Sequence, residues 1–260
     1  MSVTAFAPGS VTTLFVPQDE DASLGVSFAV ADGVTATVEP SDATAVHLDG
    51  APTEVAPVAG VLQRLDATAT VHLTSDLPIG CGFGVSGAAT LATALAANEA
   101  LHLGHDRAAL LKASHRAEVA AGTGLGDVFI QERGGLVWNV GHGMQHAERT
   151  TRIEYASYGE ISTADVLGDA DAMTRVAEAG TRALAAVDPT GPFAALFDVS
   201  WTFATDAGVP TDAVRRAVSA VRAAGGAATM AMIGNTVVAT GAEGTLPHAT
   251  QITRDGAALL

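Results

Sequence analysis

The segment Leu77-Pro78-Ile79-Gly80-Cys81-Gly82-Phe83-Gly84-Val85-Ser86-Gly87-Ala88-Ala89 puts closely spaced glycines ahead of an alanine-rich run. Several chemistries use such a stretch. As G-x-G-x-x-G, Gly82, Gly84 and Gly87 have the spacing of a dinucleotide fingerprint, but that motif needs a βαβ unit, and here the following helix leads into another helix. A Walker A loop is excluded, because no Gly-Lys-Ser/Thr occurs in the chain. A nucleophile elbow is excluded too, since Gly84-Val85-Ser86-Gly87-Ala88 lacks the last glycine of G-x-S-x-G. A plain tight turn before a core helix would use the glycines without chemistry. The remaining reading is a phosphate-cradling loop that feeds a helix N-terminus. Glycines let the backbone approach phosphates, and successive N–H groups with the helix dipole supply positive potential. Ser86, in the first turn, offers its hydroxyl to a phosphate oxygen or to Mg²⁺.

A second glycine-rich loop carries acids. His115 and Glu118 lie three apart on a helix and share a face. Past Gly122-Thr123-Gly124-Leu125-Gly126 sits Asp127. Most acids here are expected to be solvated surface charges. Asp127 is different, being flanked by Gly126 and by apolar Val128-Phe129-Ile130. That pattern predicts the start of a buried strand beside a flexible loop. The pairs His102/His105 and His142/His146 have metal-like spacing but no H-E-x-x-H glutamate and no third ligand, so no zinc site is expected. Cys81 is the only cysteine, which excludes a disulfide framework and a Cys-rich metal site.

These groups need elements to hold them. Residues 2–15 read as two short extended runs around Pro8-Gly9. Residues 24–48 read as β-rich runs broken by Asp32-Gly33 and Pro40-Ser41. A short helix is predicted over 55–65 and a strand over 67–74. A buried helix follows over 85–101, and Asp106 caps another over 107–120. Strands are predicted at 128–132 and 135–140. The character changes after Gly141-His142-Gly143. A strand near 150–157, helices at about 163–187, 193–204 and 211–223, and strands at 227–232 and 235–240 complete the reading. The last two strands are joined by Ile233-Gly234-Asn235. No fixed-period repeat occurs. Strands then helices in each half, without regular β-α-β alternation, predict an α+β fold with a boundary near residue 145.

The chain has 260 residues, with 13 Lys+Arg against 28 Asp+Glu and a net charge of −15. Lys112 is its only lysine. This charge argues against nucleic acid and against anionic membrane surfaces as partners. No apolar run reaches the roughly 20 residues of a membrane-spanning helix. The N-terminal segment lacks the basic and apolar regions of a signal peptide, which predicts a cytoplasmic protein. Few lysines, many acids and much alanine suit a saline cytosol. The composition also constrains any phosphate chemistry, because lysines are not available as the main ligands.

The residues resemble the GHMP kinases, small-molecule kinases whose signature loop is P-x-G-x-G-L-G-S-S-A-A. Pro78, Gly80, Gly82, Phe83, Gly84, Val85, Ser86, Gly87 and Ala88 carry the match. Asn98-Glu99-Ala100-Leu101, Ile161-Ser162-Thr163-Ala164-Asp165-Val166-Leu167 and Ala227-Ala228-Thr229-Met230-Ala231-Met232-Ile233-Gly234 resemble segments of the archaeal pantoate kinase branch. Ala7-Pro8-Gly9 resembles the first family motif. The resemblance implies a two-domain α+β fold, ribosomal protein S5 domain 2-like in the N-terminal part and a ferredoxin-like α/β sandwich in the C-terminal part. It implies an ATP-binding domain over 1–145, with the phosphate loop at 78–89, and a second domain over 146–260. ATP is then held by Pro78 to Ala88, with adenine near residues 45–80. Ser86 and Glu118 bind Mg²⁺, and Asp127 faces the acceptor hydroxyl as general base or as orienting group. Ser23, His115, Thr163 and Asn139 are the implied substrate-binding residues, and the implied assembly is a homodimer. Another kinase of the family, for homoserine or mevalonate, or a non-catalytic ligand sensor, are the alternatives. Two departures stand out. Ser10 occupies a place where relatives carry Lys or His. The run Leu136-Val137-Trp138-Asn139 lacks an arginine found in the pantoate branch, and the amide of Asn139 cannot replace it as a bidentate charge partner of a carboxylate.

Overall fold

The computed structural model describes residues 1–18, 23–161 and 169–260. Two long antiparallel strands, β1 (Val3–Pro17) and β2 (Ser23–Pro40), form its spine. The turn signals at Pro8-Gly9 and Asp32-Gly33 do not end either strand. Pro8 lies opposite Gly33, and the register then jumps to Gly9 opposite Val30. The two breakers thus meet in one bulge, where a proline without an N–H is tolerated. Gly33 is needed at this point, since a Cβ there would run into the carbonyl oxygen of Ala7.

The first sheet is completed by β3 (Ala45–Leu48), β4 (Ala51–Pro52), β5 (Ala69–Ser75), β6 (Leu136–Asn139), β7 (Gln145–Ala147) and β12 (Ala258–Leu259). Its main path runs β12-β1-β2-β5-β3-β4, and β6 branches from β2 to pair with β7. This sheet therefore takes strands from both sides of residue 145. α2 (Val85–Ala100) packs on this sheet, and α1 (Ala56–Arg64) and α3 (Arg107–Ala121) pack against α2. The sequence of α2 is apolar nearly all round, as befits a helix buried nearly all round. Asp106 caps α3 as expected, accepting from Ala109 N at 2.8 Å, and Gly122 ends the helix in the left-handed conformation.

The segment after the second glycine loop departs from expectation. The predicted strand 128–132 is a helix, α4 (Asp127–Arg133), and Asp127 is its first residue. Val128 and Ile130 are buried, as a strand pattern also requires, but Gln131 is buried beside them. An apolar run this short does not distinguish the two periodicities.

The second sheet is antiparallel, in the order β11 (His248–Gln251), β8 (Arg152–Ser157), β10 (Thr236–Thr240), β9 (Ala227–Met230). Three helices accompany it: α5 (Ala170–Ala186), α6 (Phe193–Ala207) and α7 (Asp212–Ala223). The predicted helix at 163–187 is seen from residue 170; residues 162–168, Thr163 among them, lie outside the described residues. The architecture is α+β, as the order of elements predicts. The two sheets are stitched together by the bridge between Thr12 and Met232 and by that between Val30 and Ile252. Phe28, at 5.5 Å from Phe193 and 6.2 Å from Phe197, shares one continuous core with both. Among the described residues, no helix is long and apolar enough to cross a membrane.

Candidate active site

A cavity of about 790 Å³ opens where the 79–86 loop, the loop between α3 and α4, and strands β1, β2 and β6 converge. Leu48, Thr53, Val55, Pro57 and Leu73 line one end of it. Thr12, Ser27, Phe129, Trp138 and Met232 line the other.

The 79–86 loop lies between these ends. Gly80, Gly82 and Gly84 have φ values of 70°, 88° and 60°, a region that side chains rarely adopt. Gly84 is the N-cap of α2, so the first turn of that helix, with Ser86, opens toward the cavity. The second sheet backs the loop. A Cβ on Gly82 would lie 3.0 Å from Ala231 Cβ and 3.1 Å from Gly234 Cα. The buried Phe83 ring meets Tyr155 of β8 edge-on at 4.8 Å, and Phe83 O accepts from Ser10 N of β1 at 2.9 Å.

Two carboxylates stand beside the loop. Glu118, on α3, is 2% exposed and lies behind the cavity wall. Its Oε1 accepts from Ser86 Oγ at 2.9 Å and from Thr90 Oγ1 at 2.7 Å, and its Oε2 accepts from Thr123 Oγ1 at 2.9 Å. Burial pushes its carboxyl above the usual range; the three hydroxyls oppose this, and the charge of Asp127 adds to it. Asp127 lines the cavity itself. Its Oδ1 accepts from Ser10 Oγ at 2.8 Å. Burial raises this carboxyl also, against the hydrogen bonds from Ser10 and from its own backbone. Gly124 sits between the acids: a Cβ there would lie 3.1 Å from Asp127 Oδ2 and 3.3 Å from Glu118 Oε2. Both carboxylates therefore face one small space beside Ser86.

Most of the sequence-predicted residues gather here. Gly80, Gly82, Phe83, Gly84, Val85 and Ser86 line the cavity, while Pro78, Gly87 and Ala88 support the loop without lining it. Ser23 and Asn139 line the second end, carried by paired strands in which Gly25 faces Asn139. Asn139 Oδ1 accepts from Gly141 N at 3.1 Å. His115 does not line the cavity; its ring packs 4.9 Å from that of Phe129, which does. Sequence reasoning missed Thr90, Thr123 and Gln131 and treated Ser10 only as an absent cation. Thr90 lies one turn beyond Ser86 and Gln131 one turn beyond Asp127, so helical spacing was the available signal. No Lys, Arg or His lines the cavity among the described residues, whereas Glu54, Asp127 and Glu160 do. Positive potential for an anionic ligand must come from backbone N–H groups and from the start of α2.

Residues 55–135 match the family described as the GHMP kinases N terminal domain. The pantoate kinase of Methanospirillum hungatei JF-1 is 29% identical over 194 residues, covering 68% of this chain and 67% of that protein. The pantoate kinase of Thermococcus kodakarensis is 31% identical over 209 residues, covering 71% of this chain and 69% of that protein. A solved structure described as a phosphotransferase related to the CoA biosynthesis pathway superposes over 100% of this chain and 99% of its own, with a TM-score of 0.85 and 21% identity.

Proposed function

Because the chain belongs to the GHMP kinase family, we propose that it transfers the γ-phosphoryl group of ATP to the primary hydroxyl of (R)-pantoate, giving (R)-4-phosphopantoate on the route to coenzyme A. One observation carries this reading beyond the likeness of sequences: Asp127 faces the same cavity as the N-terminus of α2 and its glycine loop, beside the Ser86–Glu118 pair. Phosphoryl transfer asks for positioning and charge neutralisation more than for covalent chemistry.

The residues fit the groups this reaction needs. N–H groups of the Gly80–Gly84 loop and the first turn of α2 would hold the phosphates, and the apolar end near Leu48, Val55 and Leu73 would take the adenine. Glu118 is a buried carboxylate with only hydroxyl partners, and Ser86 stands between it and the cavity. That all-oxygen set suits Mg²⁺. Among the described residues no three His, Cys, Asp or Glu side chains cluster as a metal cage, so phosphate and water would complete the coordination. When bound, ATP supplies the transferable phosphoryl group and the cation offsets its charge. Asp127 then orients the acceptor hydroxyl or takes its proton. Ser23 and Asn139 offer neutral contacts to the substrate at the second end, where no cation lines the wall.

The purified protein with ATP and Mg²⁺ should phosphorylate (R)-pantoate in preference to homoserine and mevalonate. Turnover of mevalonate without turnover of pantoate would overturn the assignment. Binding of ATP and pantoate with no phosphorylated product would instead point to a ligand sensor.

A further inference from the structure

Three hydrogen bonds connect the phosphate loop to Asp127 through two fully buried side chains. Gln131 Nε2 donates to Gly84 O at 2.7 Å and to Ser10 Oγ at 3.2 Å, and Ser10 Oγ donates to Asp127 Oδ1 at 2.8 Å. Ser10 and Gln131 are both 0% exposed, and neither lines the cavity.

The direction of each proton follows from the inventory of donors. A backbone carbonyl only accepts, so Gln131 must turn its NH₂ toward Gly84. An NH₂ only donates, so Ser10 Oγ accepts from it. The single hydroxyl proton of Ser10 is then directed to Asp127. Oδ1 is thereby committed, and Oδ2, on the Gly124 side, is the oxygen left for the acceptor. The cost of this arrangement is visible. Gln131 Oε1 is buried with no hydrogen-bond partner, in the place where a Cβ on Gly87 would come within 2.9 Å of it. An unpaired buried carbonyl is unfavourable, and a methionine would fill the same space without it. The amide therefore earns its place through its two donated bonds.

We propose that Gln131 and Ser10 are positioning residues that lock Asp127 with Oδ2 presented to the acceptor and link that orientation to the phosphate loop at Gly84. The proposal rests on the reading of Asp127 as the group facing the acceptor.

The test is a double-mutant cycle. Ser10→Ala and Gln131→Met are each made in the parent and in Asp127→Asn. In the parent each should lower kcat about tenfold, within the coupling range of residues in one hydrogen-bond network, while KM for ATP and for pantoate stays within about twofold. In the Asp127→Asn background neither should lower kcat further. Equal losses in both backgrounds would overturn the proposal, because a merely structural defect adds to the loss of Asp127. Ser10→Ala removes a single oxygen atom and carries the cycle alone if the methionine variant does not fold.

A second measurement needs no substrate. The ¹⁵N side-chain amide resonance of Gln131, identified by its loss in Gln131→Met or Gln131→Glu, should shift in Ser10→Ala. An unmoved resonance would overturn the relay. The two readings fail separately: normal pantoate turnover with an unmoved resonance removes the relay alone. A shifted resonance in a protein that phosphorylates no tested acceptor keeps the hydrogen bonds and removes the functional reading, and with it the positioning role.

Discussion

Asp127 carries the sharpest expectations at the scale of single residues. It sits at the first position of α4 with burial raising its carboxyl and Ser10 opposing. A raised folded-state pKa means the ionised form is disfavoured in the fold, so above that pKa the residue works against stability. Asp127→Asn should therefore leave the melting midpoint at pH 8 unchanged or higher, while kcat falls by about 10²-fold or more, the scale of a lost acid–base group. Calorimetry should show nucleotide binding retained. A lower midpoint with full turnover would assign Asp127 to the fold and not to the chemistry. The same sign governs the pH profile. Activity needs the ionised form, so kcat/KM should fall as pH drops through a pKa above the usual 3.8, and this acid limb should vanish from the residual rate of Asp127→Asn. The acceptor end gives a second residue-scale expectation. Asn139 lines a wall without cations, so Asn139→Ala should raise KM for pantoate by about tenfold or less, the worth of one neutral hydrogen bond, with KM for ATP unchanged.

At the scale of elements, glycines and one buried acid decide the geometry. Gly84 and Gly104 have similar φ, 60° and 73°, but different surroundings. A Cβ on Gly84 would strike Ser10 Oγ and lie 2.8 Å from Gln131 Nε2, whereas nothing lies within 4 Å of one on Gly104. Gly104→Ala should cost only left-handed strain, about 1–2 kcal/mol. Gly84→Ala should add loss of nucleotide affinity, measured by titration calorimetry, and equal affinities in the two variants would remove the loop from its role. Glu154, on β8, accepts from the N–H groups of Gly244, Thr245 and Leu246 at 2.6, 3.0 and 3.1 Å. Burial pushes its carboxyl up, but these three donors, with Arg152, outweigh it and hold it below 4.5. A depressed folded-state pKa gives stability that is present above 4.5 and lost as pH falls through the lower value. Glu154→Gln should lower stability at pH 7 and flatten the acid end of the melting profile, and an unchanged acid slope would refute that role. Much at this scale was readable in the sequence. The glycine loop, α2 and the start of α3 follow from glycine spacing, an uninterrupted apolar run and the capping side chain of Asp106. The continuity of β1 and β2 was not readable, because the bulge pairs Pro8 with Gly33 across strands and a breaker cannot announce its partner. Asp127 was expected at the start of a strand, since Val128 and Ile130 satisfy period two as well as a short helix. Ser10 and Gln131 meet only through tertiary packing, over 121 residues of chain.

The whole molecule carries −15 with 13 basic side chains, and its described residues form five ion pairs. Most of the described acids therefore have no cationic partner, and most of the pairs formed are largely exposed. Exposed pairs contribute little, so the net effect of surface charge is self-repulsion in the compact state. Salt reverses the usual expectation for such a chain. Between about 0.01 and 1 M, the Debye length shrinks from about 30 to about 3 Å, which screens repulsion between acids that are nanometres apart. The core is unaffected by screening, and the glycine loop and α2 terminus act on a ligand at contact distance. Raising KCl from low to molar concentration should therefore raise the melting midpoint, at about 2–4 °C for each kcal/mol of repulsion removed. The rise should be shallow in a variant with several exposed acids converted to amides. The site should follow the same trend. Its ligands are anions approaching a negative protein, so low salt should slow their association and molar salt should relieve it. KM for ATP should accordingly fall with added KCl, measured at constant free Mg²⁺, where a chain with a basic nucleotide site would show a rise. A midpoint and a KM that both ignore salt would mean that the acidic surface has no bearing on either folding or capture of substrate.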